Sequence, residues 1–212
     1  MAAKGAVFEK IYRDYLDQVA ALDLSGKDEV LGIRRTTDGI WIPLFNRAFC
    51  ITEGGILDPQ GRQPVHAVCV ALCRYLILCP ETVPMNGTQW VSYRNFKDAA
   101  PFAGAFAKNA EAAIAKNFTG QTEMLESACG KLGGSRIEAG LSYDLTMRVY
   151  GLPRVPLFLL FNDGDEEFAA ECSVLFERRA ERFLDMECLA ILGWLLSDYL
   201  AQAAGWDYET LM

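Results

Sequence analysis

Acidic side chains are concentrated in one short segment, residues 163–171, which we call the acidic turn. It follows the apolar run 155–161 and contains five carboxylates: Asp163, Asp165, Glu166, Glu167 and Glu171. Clustered carboxylates are suited to binding Mg²⁺ or Ca²⁺, because these cations prefer oxygen ligands. They can also act as an acid–base pair where burial separates their pKa values. The remaining alternative is a solvent-exposed turn with Phe168 packed into the core.

The spacing within the acidic turn argues against one specific cation site, the EF-hand calcium loop. A loop that begins at Asp163 has suitable oxygens at its first, third and fifth positions. The sixth position requires Gly and the twelfth requires Glu, whereas this chain has Phe168 and Val174 there. We therefore expect no EF-hand.

Aromatic and basic residues outside the acidic turn form a second group of candidates. Arg154 lies between Pro153 and Pro156, whose rings restrict the backbone, so its guanidinium is suited to a bidentate contact with a carboxylate. The alternative is an ion pair with Asp163 or another acid of the turn. We predict a ligand-binding groove near residues 153–156 and the acidic turn. Its predicted members are Trp90, Tyr93, Arg154, Asp163, Asp165, Glu166 and Glu167.

Cysteine and histidine do not form a recognisable metal or nucleophilic motif. Cys69, Cys73 and Cys79 lack the C-x-x-C spacing that is usual in structural zinc and iron–sulfur sites, and we interpret them as buried apolar residues. His66 is the sole histidine and would have to serve as the base of any Ser-His-Asp or Cys-His arrangement. We interpret it as structural, and we expect no metal and no cofactor.

Composition limits the partners that the chain can have. Its net charge of −8 opposes binding to nucleic acid or anionic lipid, and the only dense basic spot is Arg178-Arg179 with Arg182. Gly130-Lys131 resembles the end of a phosphate-binding loop, but the Gly required five positions earlier is replaced by Leu125. We expect an unidentified protein or small-molecule partner, with no nucleic acid.

The same composition predicts a cytoplasmic protein with no membrane partner. The apolar runs 155–161 and 189–196 are far shorter than the roughly 20 residues that span a bilayer. The first ten residues contain no apolar stretch of signal-peptide length. Seven cysteines, an odd number, suit a reducing compartment better than a disulfide framework.

Hydrophobic periodicity predicts the elements that position these candidates. Helices are predicted over 4–21, 28–34, 64–79, 103–117, 121–132 and from about 185. Strands are predicted over 39–45, 48–52, 90–93, 144–150, 156–161 and 172–176, with the first at a sheet edge because it contains Pro43. Segregated runs of this kind favour an α+β fold, mostly antiparallel, with helices packed against the sheet. We predict a single domain over residues 1–212.

Five segments together resemble DUF3786, a domain family of unknown function: residues 72–76, 86–93, 152–157, 163–168 and 175–177. The resemblance implies a bacterial or archaeal cytoplasmic protein and supplies no established reaction. Some relatives are described as iron–sulfur proteins through an additional Cys-rich domain, a segment that this chain does not contain. The chain also has Arg74 where we expect His from the family pattern, and Glu177 where we expect Asp.

Two functional interpretations follow from these observations. The first is a non-catalytic ligand- or protein-binding accessory protein, because no complete catalytic or cofactor motif has the required spacing. The alternative is a metal-assisted hydrolase or transferase that uses Asp163, Asp165 and Glu167 in the acidic turn.

Overall fold

Two antiparallel sheets contain the strands of the fold, numbered here along the chain. The computed structural model describes residues 2–206 with the exception of residues 139 and 141. Sheet A has the strand order β1 (Arg34–Thr36), β2 (Gly39–Leu44), β3 (Arg47–Thr52) and β4 (Gly55–Leu57). Sheet B has the order β5 (Trp90–Ser92), β9 (Glu171–Glu177), β8 (Val155–Asn162), β7 (Leu145–Leu152) and β6 (Ser135–Arg136). The predicted α+β class with antiparallel sheets is confirmed.

Helices precede, separate and follow the strands. Their bounds are α1 (Ala2–Ala20), α2 (Asp28–Leu31), α3 (His66–Ile77), α4 (Ala100–Phe106), α5 (Ala112–Phe118), α6 (Thr122–Lys131) and α7 (Met186–Ala203). A π-helical segment, Ala107–Glu111, joins α4 to α5, and 3-10 turns occupy Tyr93–Asn95 and Arg178–Arg182. Each predicted helix is present with shifted ends. Among the described residues, none of these helices combines the length and apolar character needed to cross a bilayer.

Strand β8 is the central strand of sheet B and is buried on both faces, as its uniformly apolar sequence predicts. It pairs with β7 on one side and with β9 on the other. Its core-facing residues and those of α7 belong to one hydrophobic core. Asp185 caps α7 by accepting the N–H of Cys188 at 2.9 Å, which confirms the predicted start of that helix.

The buried face of α1 differs from the predicted one. The predicted apolar face is Phe8, Ile11, Tyr15, Val19 and Leu22. The structure buries Val19 as predicted, but together with Tyr12 and Leu16, and it leaves the Phe8 side chain 48% exposed. The hydroxyl oxygen of Tyr12 accepts the buried N–H of Ile56 in β4 at 2.7 Å. The two residues are 44 positions apart in the sequence. Their contact helps to set which face of α1 is turned toward the core, and the periodicity of the helix alone does not determine that face.

The edge position predicted for the first long strand is wrong. Strand β2 contains Pro43 yet lies between β1 and β3. The proline is tolerated because the pairing between β1 and β2 stops at Trp41, two residues before it. The sequence does not predict β1, β4 or β6, since strands of two or three residues are too short for alternation to be evident.

Candidate functional site

Asp163 is bound on both carboxylate oxygens by its own chain. Its Oδ1 accepts the N–H groups of Gly120 and Gly164, at 2.7 and 2.8 Å. Its Oδ2 accepts the hydroxyl of Thr122, the first residue of α6, at 2.8 Å. Partial burial acts to raise the pKa of Asp163, but these three hydrogen bonds together hold it below its usual value. Asp163 therefore fastens the acidic turn to the start of α6.

The other acids of the turn do not converge on a shared centre. Asp165 accepts the N–H groups of Phe168 and Glu167, at 2.7 and 2.8 Å, and these bonds lower its pKa. Glu166 and Glu167 are exposed. Within the described part of the chain, no group of three or more His, Cys, Asp or Glu side chains is placed to hold a metal ion. Phe168 is 70% exposed, so its predicted packing in the core is wrong.

Arg154 lies at the opposite end of β8 from the acidic turn, about 30 Å away at the usual rise of a strand. Its guanidinium donates to the carbonyl of Val30 at 3.1 Å and to that of Glu29. The last carbonyls of a helix lack intrahelical partners, and α2 is completed by this contact. The predicted ion pair with the acidic turn is therefore wrong, because tertiary packing places α2 beside Arg154.

Trp90 and Tyr93, the remaining predicted site residues, pack on aromatic neighbours. The Trp90 ring lies 5.2 Å from that of Phe158. Tyr93 is 2% exposed, stacks on Phe106 at 4.4 Å and donates its hydroxyl to the Met186 carbonyl at 2.7 Å. The structure does not bring the predicted residues into one groove, and their roles in binding stay predictions.

Cysteine and histidine occupy positions that fit structural roles. Cys69 and Cys73 are buried in α3, where burial raises the pKa of each thiol to about 12. Thiols that stay protonated are poor nucleophiles and metal ligands. His66 begins α3, and its ring lies 4.8 Å from that of Phe8.

A different set of residues encloses a cleft of about 490 Å³, which we call the Arg47 cleft. Its walls are the start of β3, the loop after β4, the start of α3 and the last turns of α7. The lining residues are Arg47, Phe49, Asp58, Pro59, Gln60, Arg62, Pro64, Val65, Val68, Leu195, Asp198, Tyr199 and Gln202. The volume lies within the range of small-molecule sites.

Arg47 is held in place by two residues of α7. Its guanidinium carbon lies 4.1 Å from the centre of the Tyr199 ring, a close cation–π contact. Two of its terminal N–H groups donate to Gln202 Oε1, each at 3.2 Å. Burial raises the pKa of Tyr199 above its usual value, although the Arg47 charge acts in the opposite direction. The site thus presents a fixed cation beside a tyrosine that stays neutral.

The loop after β4 forms the polar rim of the Arg47 cleft. Asp58 Oδ1 accepts the N–H groups of Gln60 and Arg62, each at 2.9 Å. Its Oδ2 accepts the Arg62 guanidinium at 3.2 Å. The Arg62 N–H is the main contact that lowers the pKa of Asp58. This aspartate closes the loop, a common role for Asp in turns, and anchors a second arginine at the rim.

The floor of the Arg47 cleft is apolar. Phe49, Val68 and Leu195 are all buried, with exposed fractions of 4% or less, and they come from three different elements. An apolar floor with a few oriented polar groups is the usual composition of a ligand site. Such a surface can hold a flat apolar body while the arginine binds a polar group.

Local sequence patterns do not reveal the Arg47 cleft. Arg47 and Gln202 are 155 residues apart, and Arg47 follows Asn46 in an ordinary hairpin connection. The available signal is weak: Asp198 and Gln202 place polar groups on one face of α7 after the apolar run 189–196. Only the docking of α7 beside sheet A joins these residues.

Comparison with known proteins supports the family resemblance noted above. The model of a domain of unknown function, DUF3786, matches residues 23–199. The match includes all five of the segments that carry the resemblance. No curated protein and no solved structure matches the chain. The chain therefore belongs to the DUF3786 family.

Proposed function

We propose that this chain is a non-catalytic binding domain and that the Arg47 cleft is its ligand site. The ligand that fits this cleft best is a small molecule with a flat apolar body and a carboxylate. The observation that carries the proposal is the position of the Arg47 guanidinium, 4.1 Å over Tyr199 and tied to Gln202. An arginine fixed in this way is prepared for a planar anion before the ligand arrives.

The chemistry of Arg47 favours a carboxylate over a neutral ligand. A guanidinium has five N–H donors in a rigid fork that matches the two oxygens of a carboxylate. Gln202 accepts from two of the terminal N–H groups through a single oxygen. Because Arg47 is half-buried, a charged hydrogen bond to it is less weakened by water than one on the open surface.

The floor of the Arg47 cleft supports an apolar ligand body. Phe49, Val68 and Leu195 cover the base of the cleft, and Val65 at its rim is 66% exposed. Apolar surface of this kind gains from burial at about 25 cal/mol per Å². A ligand that combines an aromatic ring with a carboxylate would use both halves of the site.

The lining of the Arg47 cleft supports binding rather than catalysis. Its described lining includes no His, Cys, Ser, Thr or Lys, which are among the side chains that commonly act as nucleophiles or as bases. Tyr199 is a poor base and a poor acid at neutral pH because burial raises its pKa. A metal-assisted reaction in the acidic turn gains no support, since Asp163 is engaged by three donors of its own chain.

The location of the Arg47 cleft agrees with the extent of the family match. All of its lining residues except Gln202 lie within residues 23–199. A larger cleft of about 900 Å³ has an acidic rim that includes Asp17, Asp38 and Glu53. Part of that wall comes from α1, which precedes the matched region. The Arg47 cleft is therefore the better candidate for a site that belongs to the domain.

The proposal is tested with small aromatic acids and their uncharged analogues. Benzoate, phenylacetate and 3-phenylpropionate are titrated into the protein by calorimetry, and each is paired with its amide. We expect at least one acid to bind and its amide to bind more weakly by about tenfold or more, as expected when one charged hydrogen bond is lost. The variant Arg47→Met keeps apolar volume and removes the charge, and it should lose the preference for the acid.

The matched control is Arg13→Met, which removes an exposed arginine from α1 that pairs with Glu9. It should bind the acids as the unaltered protein does. The proposal is rejected if no acid binds, if the amides bind equally well, or if Arg47→Met retains full affinity. Circular dichroism of both variants checks that the fold is intact.

A further inference from the structure

A second cleft, of about 470 Å³, lies between the 3-10 turn Arg178–Arg182 and the loop 80–87; we call it the Arg182 cleft. The two segments are joined by a backbone hydrogen bond, in which the N–H of Arg179 donates to the Gly87 carbonyl at 2.8 Å. Gly87 has a φ of +84°, and a Cβ at this position would lie 3.0 Å from the Arg179 nitrogen. The glycine permits this close contact, which shapes one wall of the cleft.

Three arginines line the Arg182 cleft, and two of them are held by neighbouring groups. Arg178 donates to the Asn95 carbonyl at 2.8 Å, and its guanidinium lies over the Phe96 ring. Arg179 donates to Glu177 Oε2 at 2.5 Å and to the Pro84 carbonyl at 3.1 Å. Both cations are therefore fixed beside the cleft.

Arg182 differs from its two neighbours. Its side chain is exposed, and it makes no hydrogen bond or ion pair with the part of the chain that the structure describes. A guanidinium in this state keeps its donors available to an incoming anion.

The described lining of the Arg182 cleft has three arginines and two acids, Glu81 and Glu181. Glu81 is paired with Lys27 at 3.2 Å, and Arg179 is paired with Glu177, which lies outside the lining. The charges left without an ion pair in the described lining are those of Arg178, Arg182 and Glu181. The cleft is thus locally positive on a chain whose net charge is −8.

We propose that the Arg182 cleft binds a small phosphate-bearing molecule through its phosphate group. The available guanidinium of Arg182 can donate to the oxygens of a phosphate monoester, and Arg178, which has no ion pair among the described residues, adds a second positive charge beside it. The volume is large enough for a small organic molecule attached to that group. A nucleic acid fits less well, because a long polyanion would also meet the acidic remainder of the surface.

The test is a titration of the protein with inorganic phosphate and with glucose 6-phosphate. Binding is measured by calorimetry and by phosphorus NMR. The variant Arg182→Gln removes the one arginine of the cleft without a described partner, so it should leave the fold unchanged. We expect a phosphate probe to bind, glucose to show no binding, and Arg182→Gln to weaken the phosphate probe by about tenfold or more.

Two control variants separate this site from the rest of the protein. Arg13→Gln removes an exposed arginine on α1, and Arg47→Met alters the other cleft; both should bind the phosphate probes normally. The proposal is overturned if neither probe binds, if Arg182→Gln binds as well as the unaltered protein, or if a DNA oligonucleotide binds more tightly than the phosphate probes. Because Arg47→Met is included, failure of this proposal is distinguishable from failure of the carboxylate site.

Discussion

At the scale of single residues, Asp163 is a predicted site residue whose carboxylate has a structural role. Two backbone N–H groups and one hydroxyl reach its oxygens. Each of these bonds is strengthened by the negative charge. The carboxylate connects the end of β8 to the start of α6 by a hydrogen bond between residues that are 41 positions apart in the sequence, Thr122 and Asp163. Its charge therefore contributes to stability at neutral pH.

The variant Asp163→Asn tests this role of the charge. Because the folded-state pKa of Asp163 is lowered, its contribution is present above the unfolded pKa of about 4 and is lost as pH falls through the folded pKa. We expect the variant to be less stable at pH 7 by about 1 kcal/mol. The difference should shrink toward zero as the pH falls through the lowered folded-state pKa of Asp163, as measured by chemical denaturation over a pH series.

Glu166→Gln is the matched control for Asp163→Asn. Glu166 lies in the same turn, is exposed, and makes no hydrogen bond with the described residues. Its substitution should change stability by less than about 0.5 kcal/mol at every pH. A pH-independent difference for Asp163→Asn, or an equal effect of Glu166→Gln, would contradict the assigned role.

At the scale of elements, the contact between α4 and α7 depends on a glycine. Gly193 lies in the middle of α7, where the ring of Phe106 fits against its backbone. Phe106 is 1% exposed and stacks on Tyr93. A Cβ at position 193 would overlap that ring, so the close packing of the two helices requires glycine here.

Gly193→Ala should therefore destabilise the protein although alanine is the better helix former. Propensity favours the substitution by about 1 kcal/mol, whereas overpacking of a close contact costs about 1–3 kcal/mol. Since the displaced group is a fully buried ring, we expect the packing cost to exceed the propensity gain. Thermal and chemical denaturation measure the difference.

Gly104→Ala provides the opposite case within α4. A Cβ there would meet nothing within 4 Å, so the substitution changes stability only through the higher helix propensity of alanine. This variant should be more stable than the unaltered protein by up to about 1 kcal/mol. Stabilisation by both substitutions would show that Phe106 can move aside, and it would contradict the tight helix contact.

At the scale of the whole molecule, α1 extends the fold beyond the region matched by the family model, which begins at residue 23. Its buried residues Tyr12, Leu16 and Val19 belong to the same core as the remainder of the chain. The hydroxyl of Tyr12 meets the N–H of Ile56, itself 1% exposed. We therefore expect α1 to unfold together with the rest of the domain.

Tyr12→Phe tests the attachment of α1 to sheet A. The substitution leaves the buried N–H of Ile56 without its acceptor, which costs about 1–3 kcal/mol. Thermal unfolding should shift to lower temperature and remain a single transition. The control is Tyr15→Phe, because Tyr15 is only half-buried and its hydroxyl makes no hydrogen bond with the described residues. A separate early transition in Tyr12→Phe would contradict one cooperative unit and the predicted domain over residues 1–212.

The sequence by itself determined the identity and order of most elements. The apolar run of β8, the strand predicted over 144–150 and the helix predicted from about residue 185 follow from local patterns, and the structure confirms each of them. Periodicity works for these elements because burial of a strand or helix face follows the spacing of its own residues. Five short segments were also enough to indicate the family.

Tertiary structure alone decided where the side chains of interest lie. The sequence grouped Arg154 with the acidic turn, but an intervening strand separates them, and α2 supplies the partners of the arginine. No pattern in the sequence marks Arg47 as a site residue. Its guanidinium contacts Tyr199 and Gln202 only because α7 packs beside it. Contacts between residues more than 100 positions apart depend on how whole elements pack, and no local spacing encodes that packing.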